Sequence, residues 1–117
     1  MTSTNVQQIA LLIKRWSDSD GNDDIEVIPM ASYEKAQERL DAEALGEINF
    51  WNTELDYHIP DGLLDGEEHY IDINTGEPKE HMWGNLLVER VADKFTLYDD
   101  YNYRQADFWI EVRSIEG

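Results

Sequence analysis

The sequence predicts one compact α+β domain over residues 1–117, with N-terminal helices followed by a mainly antiparallel sheet. Three observations carry that expectation. A chain of 117 residues has room for one core and little more. It is 41% apolar, with four Trp, six Tyr and three Phe, which is too much buried-type surface for a disordered acidic tail. The texture also changes along the chain, from helix-like spacing and caps in the first third to short β-like pieces from Glu47 onward.

Val6, Ile9, Ala10, Ile13 and Trp16 fall on one face of a helix, with Ser3 or Thr4 placed to cap its start. Lys14 and Arg15 then occupy its last turn, where cations suit the helix dipole. Ser17 to Asn22 is rich in turn formers, and Asp24–Ile28 alternates as a strand that stops at Pro29. Ser32 can cap a second helix running to about Leu45, with Tyr33, Ala36, Leu40 and Ala44 on its apolar face and Gly46 as terminator. Strand-like pieces follow at Glu47–Trp51, Leu55–Ile59, Glu68–Ile73 and Phe108–Ile115. Trp83, Leu87, Val91 and Phe95 fit a helix, which is the reading adopted. The same segment fits a hairpin turning at Ala92-Asp93-Lys94, and periodicity does not separate the two.

Charge is the outlying property. Twenty-six acids against nine bases give a net charge of -17. A surplus of this size opposes direct binding to nucleic acid or to an anionic membrane and favours basic partners. The chain has no Cys, which excludes disulfides, thiolate metal sites and Cys nucleophiles. Its N-terminal apolar run, Ile9–Ile13, is too short to span a bilayer, and its basic pair follows the run instead of preceding it, so the expectation is a cytoplasmic protein.

The acids are unevenly spread. No Lys or Arg occurs between Arg15 and Lys35, a stretch with six acids, nor between Arg39 and Lys79, a stretch with eleven. Two dense segments stand out: Asp18, Asp20, Asp23, Asp24 and Glu26, then Glu54, Asp56, Asp61, Asp65, Glu67, Glu68 and Asp72. The first invites a calcium reading, because Asp18, Asp20 and Asn22 fill positions 1, 3 and 5 of an EF-hand loop. Asp23 stands where that loop needs Gly, however, and Pro29 where it needs a bidentate Glu, so no metal is expected. His58, His69 and His81 lack metal-ligand spacing, although Glu68, His69 and Asp72 could cluster at a strand end. No nucleophile elbow, phosphate loop or dinucleotide fingerprint is present, and the expectation is a protein without catalysis or cofactor. In the stretch Leu97–Trp109, aromatic residues interleave with acids. The negative charge opposes base stacking there and leaves core packing or a protein-interface anchor.

A compact chain of this length has a radius of gyration of about 13 Å, hence a diameter of roughly 35 Å. The same length of B-DNA carries about 20 negative charges, the order of this chain's surplus. In length, acidity and α+β character the sequence resembles the bacterial DNA-mimic proteins, most closely the small neisserial kind that binds the histone-like nucleoid protein HU. That resemblance implies a monomer whose acidic segments stand in for phosphates, competing with DNA for HU's basic surface and associated with the nucleoid through that partner. The alternative reading is an immunity or anti-restriction protein that neutralises a basic nuclease or toxin.

Overall fold

The computed structural model describes residues 6–116. In chain order its elements are β1 (Val6–Ser17), β2 (Asp23–Met30), α1 (Tyr33–Glu54), β3 (Glu68–Ile71), β4 (Leu86–Val91), β5 (Lys94–Asp99) and β6 (Arg104–Glu116). The strands form a single antiparallel sheet of order β2-β1-β6-β5-β4-β3, so the α+β class and the antiparallel sheet hold. The N-terminal helices do not: one helix is present, and it follows two strands.

Residues 6–17 form a strand, not the expected helix, paired with β2 on one side and β6 on the other and apolar on both faces. Ala10, Leu12, Lys14 and Trp16 face α1, while Leu11, Ile13 and Arg15 face away. Ile13 is only 6% exposed although it lies on the helix-free face, between Val27 and Trp109 on the neighbouring strands. A strand apolar on both faces loses the alternation that would announce it. The Ser3 or Thr4 cap lies outside the described residues. Lys14 reaches the helix instead of closing one. Its ammonium lies 3.2 Å from Glu43 and 4.0 Å from Glu26, and it sits over the rings of Trp16 and Phe108.

β2 passes through Pro29 to Met30, which an outer strand permits because the missing N–H faces away from the sheet. Ser32 caps α1 as expected, its hydroxyl accepting from the Lys35 N–H at 3.1 Å. The helix then runs through Gly46 to Glu54, absorbing Glu47–Trp51, which the sequence assigned to a strand. Ile48 and Trp51 extend the buried face of Ala36, Leu40 and Ala44, whereas Tyr33 is exposed and bonds Asp93. Glu47 takes the indole N–H of Trp16 on one oxygen and of Trp51 on the other, locking the helix to β1. The left-handed stop is Asp56, at φ 58.

Leu55–Ile59, read as a strand, is an irregular segment with Tyr57 and Ile59 buried. The Asn52 side chain supplies the pairing a strand would have had, donating to the Ile59 carbonyl at 2.9 Å and accepting its N–H at 2.8 Å. The 83–95 region is the hairpin, β4 to β5, not the helix. Its tight turn falls where the hairpin alternative put it, with Ala92, not Gly, at φ 46, so no glycine signal separated the hairpin from the helix.

One sheet face packs on α1 through Leu12, Phe108, Phe95 and Leu97, with Val88 in the same core; the other face carries no helix. The radius of gyration is 16.6 Å with extents of 63 × 30 × 24 Å, longer than the roughly 13 Å expected of a compact chain. The extra length comes from β1 and β6, which pair with each other beyond the last residues that β2 and β5 reach. No helix among the described residues is long and apolar enough to cross a membrane.

Candidate interaction surface

The register places six strand ends together. Ser17 pairs with Asp23 and Gln105, Asp99 with Arg104 and Leu86, and Leu86 with Ile71. The β1–β2 turn, the β5–β6 turn and the long β3–β4 connection therefore leave from one end of the sheet. That loop end gathers Asp18, Asp20 and Asp23 from the first acidic segment and Asp72 from the second. Asp56 joins them, since residues 55–57 share a surface cleft with Ile73, Asn74 and Asn102. Asp24 and Glu47 flank a pocket of about 130 Å³ at the same end, beside Arg104, whose buried Nε finds no hydrogen-bond partner.

The remaining acids do not join this group. Glu26 lies along outer strand β2. Glu68 lies on the opposite outer strand, β3, with Asp65 and Glu67 leading into it. Those two edges are five inter-strand spacings apart, about 24 Å. Glu54 ends α1 and Asp61 follows in the connection to β3, both exposed. The two segments thus meet at the loop end and diverge along the edges.

Folding also supplies neutralisation that the linear sequence hides. Asp23 receives two bonds from Arg15 at 2.8 and 3.0 Å, Glu26 faces Lys14, and Asp72 lies 3.7 Å from Lys79; Asp65 hydrogen-bonds the His69 ring at 2.7 Å. Three acids are turn-builders. Asp18 accepts the N–H groups of Asp20 and Asn22, Asp65 that of Glu67, and Asp72 those of Asn74 and Thr75. The Asn22 side chain on Asp18, Arg15 on Asp23, His69 on Asp65 and the Asn74 and Thr75 N–H groups on Asp72, helped by the other turn bonds, hold these four carboxyls below their ordinary range. They stay ionised further into acid, and the stability they contribute is lost only as pH falls through those depressed values.

Glu68 and Glu89 stand directly opposite each other on β3 and β4. Burial, then a hydrogen bond and charge repulsion from Glu68, push the Glu89 carboxyl up. A raised carboxyl favours the fold while protonated, and the advantage disappears as pH rises through its folded value. Glu89→Gln is therefore expected to stabilise the protein by about 0.5 kcal/mol at pH 7. Urea titrations should show that gain vanish near pH 4; an equal gain at both values would remove the Glu68–Glu89 repulsion from the account.

Asp65, Glu67 and His69 place one ligand atom each within 4.8 Å of one another, the only such trio among the described residues. The grouping differs from the Glu68–His69–Asp72 cluster imagined from sequence, because alternation sends Glu68 to the other face, where it bonds Tyr70. The Asp65–His69 bond and the Asp65 turn explain the closeness without an ion.

Sequence reasoning singled out Leu97–Trp109 as core or interface anchor but missed the role of Asp99 and the exposure of Trp83 beside it. Asp99 is wholly buried at the start of the β5–β6 turn, accepting from the N–H groups of Tyr101 and Asn102, the Asn102 side chain and the Tyr57 hydroxyl. Burial, then Asp99 itself, drive the Tyr57 hydroxyl far above its ordinary range, so it remains a donor. Asp100 accepts the Gly84 N–H at 2.7 Å and donates its own to Asn85, tying the Trp83 loop to this turn. Trp83, Tyr101 and Tyr103 stand out from the joined loops at 82%, 71% and 61% exposure. The run "YDDYNY" between two strands was the available signal. Comparison with protein-family models, curated proteins and solved structures gives no match.

Proposed function

We propose that the chain is a monomeric, non-catalytic acidic decoy whose loop end occupies the Lys- and Arg-rich surface of a basic nucleoid protein of the HU kind and competes there with DNA. The observation that carries this reading is the meeting of acids from both dense segments at one end of the sheet, in a chain of net charge -17. Carboxylates there stand in for phosphates opposite cations, and the long-range field steers a basic partner to them. The likeness to the DNA-mimic proteins points the same way and would place the protein in the cytoplasm, at the nucleoid.

The test is a titration of purified HU with this protein, with and without a short duplex. Duplex is expected to displace the protein, and the apparent affinity to fall as salt rises from about 50 to 200 mM. A ternary complex in which both ligands bind HU undisturbed would end the competition reading. The three exposed aromatic side chains favour a second reading, the immunity or anti-restriction protein. Equimolar silencing of a basic nuclease, with HU–DNA complexes unaffected, would select it.

A further inference from the structure

We infer that Trp83, Tyr101 and Tyr103 form a preorganised anchor that docks a Lys- or Arg-rich protein surface, with the surrounding carboxylates supplying steering and selectivity. The inference rests on the basic-partner part of the proposed function and adds where binding energy is concentrated. Monomer surfaces scatter single apolar residues, but three large aromatic groups on two mutually bonded loops is a different arrangement. Exposed Trp and Tyr held in place lose little freedom on binding and are the side chains on which interface energy concentrates.

Rigidity here is visible. The buried Asp99 carboxylate gathers the backbone of Tyr101 and Asn102, and Asp100 fixes the Trp83 loop through Gly84. Tyr103 has φ 57, a left-handed conformation that bulky side chains avoid, and the residue is 61% exposed. A strained backbone that displays an aromatic ring to solvent does not serve the core, and such strain concentrates at functional positions.

Charge selects the occupant. Asp72 and Asn74 share a cleft with Tyr101, and Asp100 lies beneath the Trp83 loop. The electron-rich faces of Trp and Tyr beside carboxylates suit guanidinium and ammonium groups. A nucleic acid or a second copy of this chain would bring further negative charge to a surface already in surplus.

The experiment measures binding of the full chain to HU for Trp83→Ala, Tyr101→Ala, Tyr103→Gly and Asp20→Asn, alongside melting temperatures. Trp83→Ala and Tyr101→Ala are expected to weaken binding about tenfold with the fold intact, a loss that persists at about 0.5 M salt. Asp20→Asn should weaken it less than about threefold, and only at low salt. Tyr103→Gly should raise the melting temperature while weakening binding, a split that a structural role cannot give. Unchanged affinity in both alanine variants would overturn the anchor, as would self-association that Trp83→Ala abolishes. If HU does not bind the wild-type chain, the partner reading fails by itself, and the anchor is judged with a synthetic Arg-Gly repeat peptide by amide and indole NMR shifts. Shifts at the Trp83 indole and at Tyr101 would uphold it; shifts confined to β2 or β3 would overturn it.

Discussion

Asp99→Ala is expected to destabilise the protein by about 3–5 kcal/mol, the largest effect of any single side chain considered. The carboxylate is wholly buried and accepts four hydrogen bonds, two from backbone N–H groups, one from Asn102 and one from Tyr57. Alanine leaves all four donors facing a cavity. Asp99→Asn separates shape from chemistry. Its remaining oxygen can still serve the two backbone donors, but its amide meets the Asn102 amide donor head-on, so about 1–3 kcal/mol should be lost. Tyr57→Phe removes one charge-assisted bond and should cost about 1.5–3 kcal/mol. Urea titrations of the three variants should place Asp99→Ala clearly worst, with Asp99→Asn and Tyr57→Phe close to each other. Equal, small losses would mean that the turn is held by its strands and not by the buried carboxylate.

Gly76→Ala carries the second-largest penalty, about 2–4 kcal/mol, by a different route. Gly76 has φ 76, and a Cβ built there would lie 2.0 Å from the His58 carbonyl oxygen and 3.5 Å from the Pro60 ring. Strain and collision add, because the colliding atom is backbone and that backbone is pinned at Ile59 by Asn52. The melting temperature should fall by about 10 °C or more. Gly21, at φ 84, has open space around its absent Cβ, so Gly21→Ala isolates the conformational part and should cost only about 1–2 kcal/mol. Similar losses in the two variants would show that the 72–78 turn can move away from residues 58–60.

Legibility in the sequence followed the range of the interaction responsible. The Ser32 cap and the faces of α1 are local and were readable, as were Asp24–Ile28 and Phe108–Ile115 as parts of β2 and β6. Gly46 misled because its side faces open space, where the helix tolerates it while Ile48 and Trp51 keep packing. β1 was misread because a central strand with both faces apolar carries no alternation, and one of its two partners, β6, comes from the far end of the chain. At the candidate surface, the turn roles of Asp18, Asp65 and Asp72 are local chemistry, whereas the Arg15–Asp23 and Lys14–Glu43 pairs depend on strand and helix placement. The density of charge was legible; its partition between one end and two edges was not.

β6 lies between β1 and β5, so the last of the described strands is the one that joins the two halves of the sheet. Before it emerges, β1–β2 with α1 and the β3–β5 meander have no shared ladder. Phe95, Leu97 and Leu12 then lack Ala106, Phe108 and Ile110 as cover. Closing the first strand on the last is a long-range contact whose entropy must be met before its packing is gained, which makes folding slow for a domain of this size. Mutual repulsion among the acids, most of which precede β6, opposes association between chains whose sheet is not yet closed.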